Sequence, residues 1–392
     1  MSILNPFFPL PQKIVYCTPS LYAAGGVERV LTTKVNYLAS LGDRYAVTVI
    51  LTDGRGRSPY YPLADSVEVI NLDIGFEELW TMPFWRKVLA YLRKQRRYKR
   101  LLTAELMRLR PDITVSTLRR EINFLCDIAD GSRKVGELHV NRHNYRNFES
   151  VDSNPLKRLF AWFWMRSLVG KLRHLDRFVV LTGQDRLSWP ELSHVSVIPN
   201  PLPSLPVTYS PLTARRIVAV GRYVYQKGFD LLLQAWQRVE AECTEWRLDV
   251  FGPGDRAPYL GLMDELQLDS TRCALHGPRE DIAAEYLRSS IFVFSSRFEG
   301  FGMVLLEAMA HGLAVVSFDC PCGPSDIVSD GSDGLLVANG DVEQLARSII
   351  RLIRNREERE TLAAAAIEKA RSYDISVIGR QWTQLFDELS AH

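Results

Sequence analysis

Nowhere in the 392 residues do about 18 apolar residues run together, so no segment reads as a membrane-spanning helix. The opening, "MSILNPFFPLPQK", has no basic stretch ahead of its apolar residues and carries three prolines, which argues against a secretion signal. Cysteine is scarce: six thiols, at positions 17, 126, 243, 273, 320 and 322, make no CxxC pair. Cys320-Pro-Cys322 is spaced for neither a disulfide nor an ordinary zinc site, so reduced thiols in a cytoplasmic protein are expected. Net charge is small too. Forty-eight Lys and Arg against 46 Asp and Glu leave +2, which removes any bulk electrostatic reason to bind nucleic acid.

The length suits two domains of somewhat under 200 residues, and 46% hydrophobic composition can fill two cores. "KIVYCTP" (13–19), a loop ending Gly25-Gly26, the helical pattern "VERVLTTKVNYLASLG" and "YAVTVILT" (45–52) form a βαβ unit. Further strands are expected at 112–117, 133–140 and 177–182. Five prolines then fall within the thirteen residues of "PNPLPSLPVTYSP" (199–211), an extended linker. Beyond it strand and helix alternate more regularly, from "RRIVAVGR" to a helix starting at Val342. The expected fold class is α/β: two doubly wound Rossmann-like domains, 1–205 and 206–375, facing across a cleft. Residues 376–392 form an amphipathic helix packing back toward the first domain. Such sheets bind ligands at the carboxyl ends of their strands.

Chemistry concentrates in "SSRFEGFGMVLLEAMAHG" (295–312). Gly300 and Gly302 do not suit a helix interior, whereas the residues after Gly302 form helix readily. Glu299 therefore lies in a loop and Glu307 within a helix, whose first N–H groups and close-approaching glycines suit an anion. In "VGRYVYQKGFD" (220–230), Arg222 and Lys227 follow a strand, as the charge-assisted hydrogen bonds of a diphosphate require. A carboxylate repels phosphate but accepts from vicinal hydroxyls, which assigns Glu307 to a ribose and Glu299 to a sugar.

With "GGVERV" (25–30), "GRxxxxKG" (221–228), "HGPRED" (276–281), the two glutamates and "GPSDIVSDGSDGLLV" (323–337), the whole chain resembles family 4 retaining glycosyltransferases of the GT-B fold. The resemblance implies sugar transfer from a nucleotide diphosphate donor with the anomeric configuration kept. It assigns Arg222 and Lys227 to the diphosphate, Glu307 to the ribose and Glu299 to the donor sugar. Phe301, Gly302 and Met303 would offer backbone to the phosphates or sugar hydroxyls. Gly25 and Gly26 match the loop that closes over the phosphates near the acceptor, and Arg279 matches the segment flanking the base. Asp326 stands where relatives often carry Glu. The family's histidine near the reacting sugar is His139 or His143, and His139 lies nearer the strand end. No Asp-x-Asp triplet occurs, so no metal or other cofactor is expected; fixed cations and a helix dipole take the ion's place. Family frequency favours a UDP-sugar donor, a hexose or N-acetylhexosamine, used in bacterial surface polysaccharide or lipopolysaccharide assembly.

Charge, balanced overall, is uneven along the chain. Residues 80–110 hold ten Lys or Arg against one acid, Glu105, with apolar residues at 85, 88, 89, 92, 102, 106 and 109. Residues 154–175 mix Trp and Phe with Lys and Arg. Basic amphipathic helices can lie on an anionic membrane, which implies a saccharide or lipid-linked saccharide acceptor and peripheral attachment at the inner face of the cytoplasmic membrane. The bland alternative is a solvated basic face. Two rival functions share parts of this pattern: a sugar-nucleotide 2-epimerase, and a basic protein binding RNA or membranes without catalysis. Paired carboxylates do not help bind a phosphate backbone, so no nucleic-acid partner is expected.

Overall fold

The computed structural model describes residues 10–142, 145 and 155–391. The chain divides into two compact units. Unit 1 comprises residues 1–181, 186–203 and 375–392; unit 2 comprises 182–185 and 204–374. Among the described residues no helix is long and apolar enough to cross a membrane.

Unit 1 is built on β1 (Gln12–Thr18), α1 (Gly26–Ser40), β2 (Tyr45–Leu51), β3 (Glu68–Asn71), α2 (Phe84–Leu109), β4 (Ile113–Ser116), β5 (Arg133–Glu137), α3 (Pro155–Leu172), β6 (Arg177–Val180), α4 (Gly183–Leu187), whose residues 183–185 count with unit 2, and β7 (Val195–Val197). Its seven strands are parallel in the order β3-β2-β1-β4-β5-β6-β7. Alternate residues of β1 feed opposite faces of the sheet, as a pleated strand requires. Ile14 and Tyr16 join Val47 and Val49 in one core, and Val15 and Cys17 join Tyr98, Leu102 and Leu106 of α2 in another.

Unit 2 runs β8 (Arg216–Val220), α5 (Phe229–Glu242), β9 (Arg247–Phe251), α6 (Ala257–Glu265), β10 (Cys273–His276), α7 (Ile282–Leu287), β11 (Ile291–Phe294), α8 (Met303–Ala310), β12 (Ala314–Asp319), α9 (Pro324–Ile327), β13 (Leu335–Ala338), α10 (Val342–Arg354) and α11 (Arg356–Arg371). Its six strands are also parallel, ordered β10-β9-β8-β11-β12-β13. The strand order reverses between β8 and β11, so the loops after these two strands open side by side, the usual ligand position in such a sheet. These loops carry Arg222, Lys227 and Glu299. The last helix, α12 (Ile375–Ser390), belongs to unit 1, where Trp382 and Phe386 are buried in the β1–β2 core.

The structure splits the apolar positions of α2 into two sets. Tyr98, Leu102 and Leu106 are fully buried, whereas Trp85, Val88, Leu89 and Leu92 are exposed. The stripe read as one in the sequence covers the core only over the helix's second half.

Candidate functional site

In unit 2 the loops after β8 and β11 are clamped together by polar contacts. Gly228 has φ 62°, and a Cβ there would come within 2.1 Å of the Ser295 carbonyl, so only glycine lets the chains approach this closely. Arg297 grips Asp230, in the first turn of α5, with two hydrogen bonds of 2.8 and 2.5 Å. Its guanidinium also donates to the Tyr225 carbonyl (2.8 Å) and lies over the Tyr225 ring. Burial works to raise the Asp230 carboxyl, but the Arg297 hydrogen bonds and charge outweigh it and hold the carboxyl low. This frame fixes the loop that carries Lys227.

Lys227 and Glu299 meet within it. Lys227 Nζ is 2.5 Å from Glu299 Oε1, with the two side chains only 14% and 8% exposed. Gln226 Nε2 donates to the Phe298 carbonyl at 3.0 Å and reaches Glu299 Oε2 at 3.4 Å. The Lys227 stem lies against Gly221, and its ammonium sits 5.4 Å from the centre of the Phe294 ring. Deleting one partner of a pair this shielded from water costs about 3–5 kcal/mol.

Gly302 caps α8 at φ 106° without a side-chain cap. The N–H groups of Met303 and Val304 find no acceptor among the described residues, while those of Leu305 and Leu306 bond the Gly302 carbonyl. The open first turn, with its partial positive charge, can receive an anion. Phe301 is buried against Tyr373, and Glu307 is buried one turn into α8, where its carbonyl accepts from His311. Arg222 is exposed and forms no ion pair among the described residues. Arg279 lies over the Phe251 ring, 5.8 Å away, beside His276. That ring stacks on Phe251 at 4.4 Å, and its Nε2 is 2.7 Å from Asp249 Oδ1. Asp326 accepts from the Gly183 N–H at 2.7 Å, and burial lifts its carboxyl above the usual range.

In unit 1, Gly25 caps α1 and Gly26 is its first residue. The Glu28 carboxylate lies where a Cβ on Gly25 would stand, beside the start of the helix. His139 follows β5, its side chain only 5% exposed, with Nε2 3.5 Å from Glu137 Oε1. Neither ring nitrogen has a hydrogen-bond partner among the described residues. His143 lies outside the described residues. Behind His139 sits an ion pair that the sequence reading did not identify. Lys34 on α1 contacts Glu137, and the two side chains are 2% and 1% exposed. Burial alone would raise the Glu137 carboxyl, yet Lys34 and His139 hold it at about 2. A signal was available: Val30, Leu31, Val35 and Leu38 define the buried stripe of α1, and Lys34 stands in its middle. Arg297 and Gln226 were missed as well. Their partners lie 67 to 73 residues away, beyond local spacing.

Residues 207–369 match the family described as "Glycosyl transferases group 1". The chain is 35% identical over 223 residues to an exopolysaccharide phosphotransferase of Streptomyces coelicolor, covering 55% of this chain and 24% of the relative. It is 31% identical to the amylovoran biosynthesis glycosyltransferase AmsD of Erwinia amylovora, covering 44% of this chain and 48% of the relative. The chain thus spans a quarter to a half of these two relatives' lengths. An uncharacterized glycosyltransferase of Haemophilus influenzae matches at 24% identity, over 95% of this chain and 99% of its own length. Among solved structures, sucrose-phosphate synthase from Thermosynechococcus elongatus superposes with a TM-score of 0.79 at 19% identity, covering 97% of this chain and 99% of that one. A TarM mutant of S. aureus, in complex with UDP and other ligands, gives 0.73 at 15% identity, covering 96% and 99%. Residues 207–369 thus resemble the group 1 glycosyltransferases, and the two parallel-sheet units share the GT-B fold of these solved structures.

Proposed function

We propose that the protein is a retaining glycosyltransferase that moves a hexose or N-acetylhexosamine from a UDP-sugar to a glycan or lipid-linked saccharide in bacterial surface polysaccharide or lipopolysaccharide assembly. The observation that carries this reading is the Lys227–Glu299 contact, held in one buried frame with the open first turn of α8 on the same loop. A diphosphate needs fixed positive groups and a sugar needs acceptors, and this frame supplies both. The names of the relatives support the surface-polysaccharide setting, and the UDP complex of S. aureus TarM supports the donor.

In this mechanism Arg222, Lys227 and the N–H groups of Met303 and Val304 hold the diphosphate. They stabilise the charge that grows on the β-phosphate as the glycosidic bond breaks, and they need no metal ion. Glu299 accepts from sugar hydroxyls, Glu307 from the ribose, and Arg279 lies beside the base. Because Lys227 and Glu299 are already paired, neither must be stripped of water when the donor arrives. Retention follows from attack of the acceptor hydroxyl on the face the diphosphate leaves, with the departing phosphate taking the proton. Unit 1, which carries Gly25, Gly26 and His139, supplies the acceptor side. Its basic helices give peripheral contact with an anionic membrane.

A thermal-shift screen over nucleoside diphosphates and their sugars tests this reading, because a ligand that binds only the folded chain raises the melting temperature. UDP and UDP-sugars should raise it, and incubation with a UDP-sugar alone should leave the sugar's configuration intact. No shift with any nucleotide would remove the donor site, and interconversion of the donor without acceptor would make the protein an epimerase.

A further inference from the structure

Unit 1 carries a surface that donor chemistry leaves unused. On α2, Lys94 pairs with Glu78, Lys99 with Asp127 and Arg108 with Glu105. Arg86, Lys87, Arg93, Arg96, Arg97 and Arg100 form no ion pair among the described residues. The exposed apolar residues of the same helix, Trp85, Val88, Leu89 and Leu92, recur at helical spacing, a face that meets no partner in the core.

Beside the start of α2 lies a cavity of about 600 Å³. Trp80, Val88, Tyr91 and Leu92 form its apolar wall, and Lys87, Arg119 and Arg120 line it as well. No carboxylate is among its lining residues as far as these are described. The loop that brings the two arginines is fixed from beneath. Leu118 turns it at φ 53°, a conformation bulky side chains rarely adopt. The Leu118 carbonyl accepts from Tyr145 Oη at 2.5 Å. Glu121, only 2% exposed, accepts from Ser116 Oγ (2.7 Å) and from the Arg119 N–H (3.1 Å). Glu121 is not among the residues that line the cavity.

An apolar wall with several cations and no anion fits a ligand that is greasy along its length and doubly or triply negative at one end. A nucleic acid has no use for the wall. A flat bilayer has no use for a recess in which cations gather at a single headgroup. Val140 also lines the cavity, one residue after His139. We propose that this cavity holds the phosphate or diphosphate head of a single-chain lipid that carries the acceptor saccharide, its chain running along Val88, Leu89 and Leu92. This rests on the reading of unit 1 as the acceptor half and specifies what that half binds.

The test is calorimetry on the full chain with farnesyl diphosphate below its micelle concentration, inorganic diphosphate, farnesol and phosphatidylglycerol vesicles. UDP is titrated in parallel and used to saturate the donor site. Farnesyl diphosphate should bind the UDP-saturated protein at least about tenfold more tightly than inorganic diphosphate or farnesol, since both ends of the ligand are recognised. Lys87→Gln with Arg119→Gln should remove about tenfold or more of that affinity, and Val88→Asp should do the same from the apolar side, with UDP binding and melting temperature unchanged. Equal affinity for inorganic diphosphate would overturn the proposal, as would full farnesyl diphosphate affinity in the double variant or binding to vesicles alone. Silence toward farnesyl diphosphate while UDP binds removes this site and leaves the donor reading intact. Silence toward UDP with farnesyl diphosphate bound does the reverse.

Discussion

The two units share a parallel-sheet plan and treat charge in opposite ways. Around the candidate donor site of unit 2, most of the enclosed ionic side chains are matched, Lys227 with Glu299, Arg297 with Asp230, and Arg216 with Asp249 and Glu285, while the exposed Arg222 is not. Unit 1 buries the ion pairs Lys34–Glu137 and Lys134–Asp130 and, among the described residues, leaves six cations of α2 without an acidic partner. Exposed large apolar residues follow the same division. Trp80, Trp85, Leu89, Trp162 and Phe163 crowd the helices of unit 1, while unit 2 exposes few, such as Tyr225 and Leu260. A site whose enclosed charges are mostly matched suits a small polar ligand that must be held in one geometry. A surface with unmatched cations beside apolar stripes suits a partner that brings its own negative charge.

The sharpest way to break that contrast is at Lys227. Lys227→Ala should lower turnover by about 10²–10³-fold, because it removes charge aimed at the leaving diphosphate. Near-normal turnover in the purified variant would take Lys227 out of the site. Next in size is the buried Lys34–Glu137 pair of unit 1. Lys34→Met and Glu137→Gln should each destabilise the protein by about 3–5 kcal/mol in urea unfolding, and the double variant by less than their sum. Additive losses would mean the two side chains act separately.

Legibility in the sequence followed the same contrast. Unit 2 could be read from its regular alternation because its buried strands are continuous apolar runs such as "IFVF". In unit 1, β3 and β7 escaped notice. Each has four residues or fewer, sits at a sheet edge and is partly exposed, so neither gives a strong periodic signal. At the site, the loop position of Glu299 and the helix start after Gly302 were legible because glycine conformations and helix propensity are local. The pairing of Lys227 with Glu299 was not, since it joins residues 72 positions apart on loops that follow two strands far apart in the sequence. The division of α2 into a buried and an exposed stripe was likewise hidden, because periodicity reports a face and not what covers it.

Smaller effects sharpen the comparison further. Arg297→Ala should slow transfer about tenfold by loosening the loop that carries Lys227, with UDP affinity falling alongside. Unchanged kinetics would show that the Asp230 clamp is dispensable. Acid titration addresses unit 1. The Glu137 carboxyl is held at about 2, below its ordinary value of 4.5, so its contribution to stability is complete above that ordinary value. It should fade as pH falls from 4.5 toward 2, and Glu137→Gln should flatten that part of the stability profile. An identical acid limb in the variant would contradict the assignment. Smallest of all, Arg96→Gln with Arg97→Gln should leave the melting temperature alone while weakening flotation with anionic vesicles at low salt, an effect that high salt erases. Unaltered flotation would make this face ordinary solvated surface.

The most direct test of the central claim is a crystal structure with UDP bound. The diphosphate should lie against the N–H groups of Met303 and Val304, with Lys227 and Arg222 on its oxygens and Glu307 on the ribose. Nucleotide density away from α8, or none at saturating UDP, would contradict it.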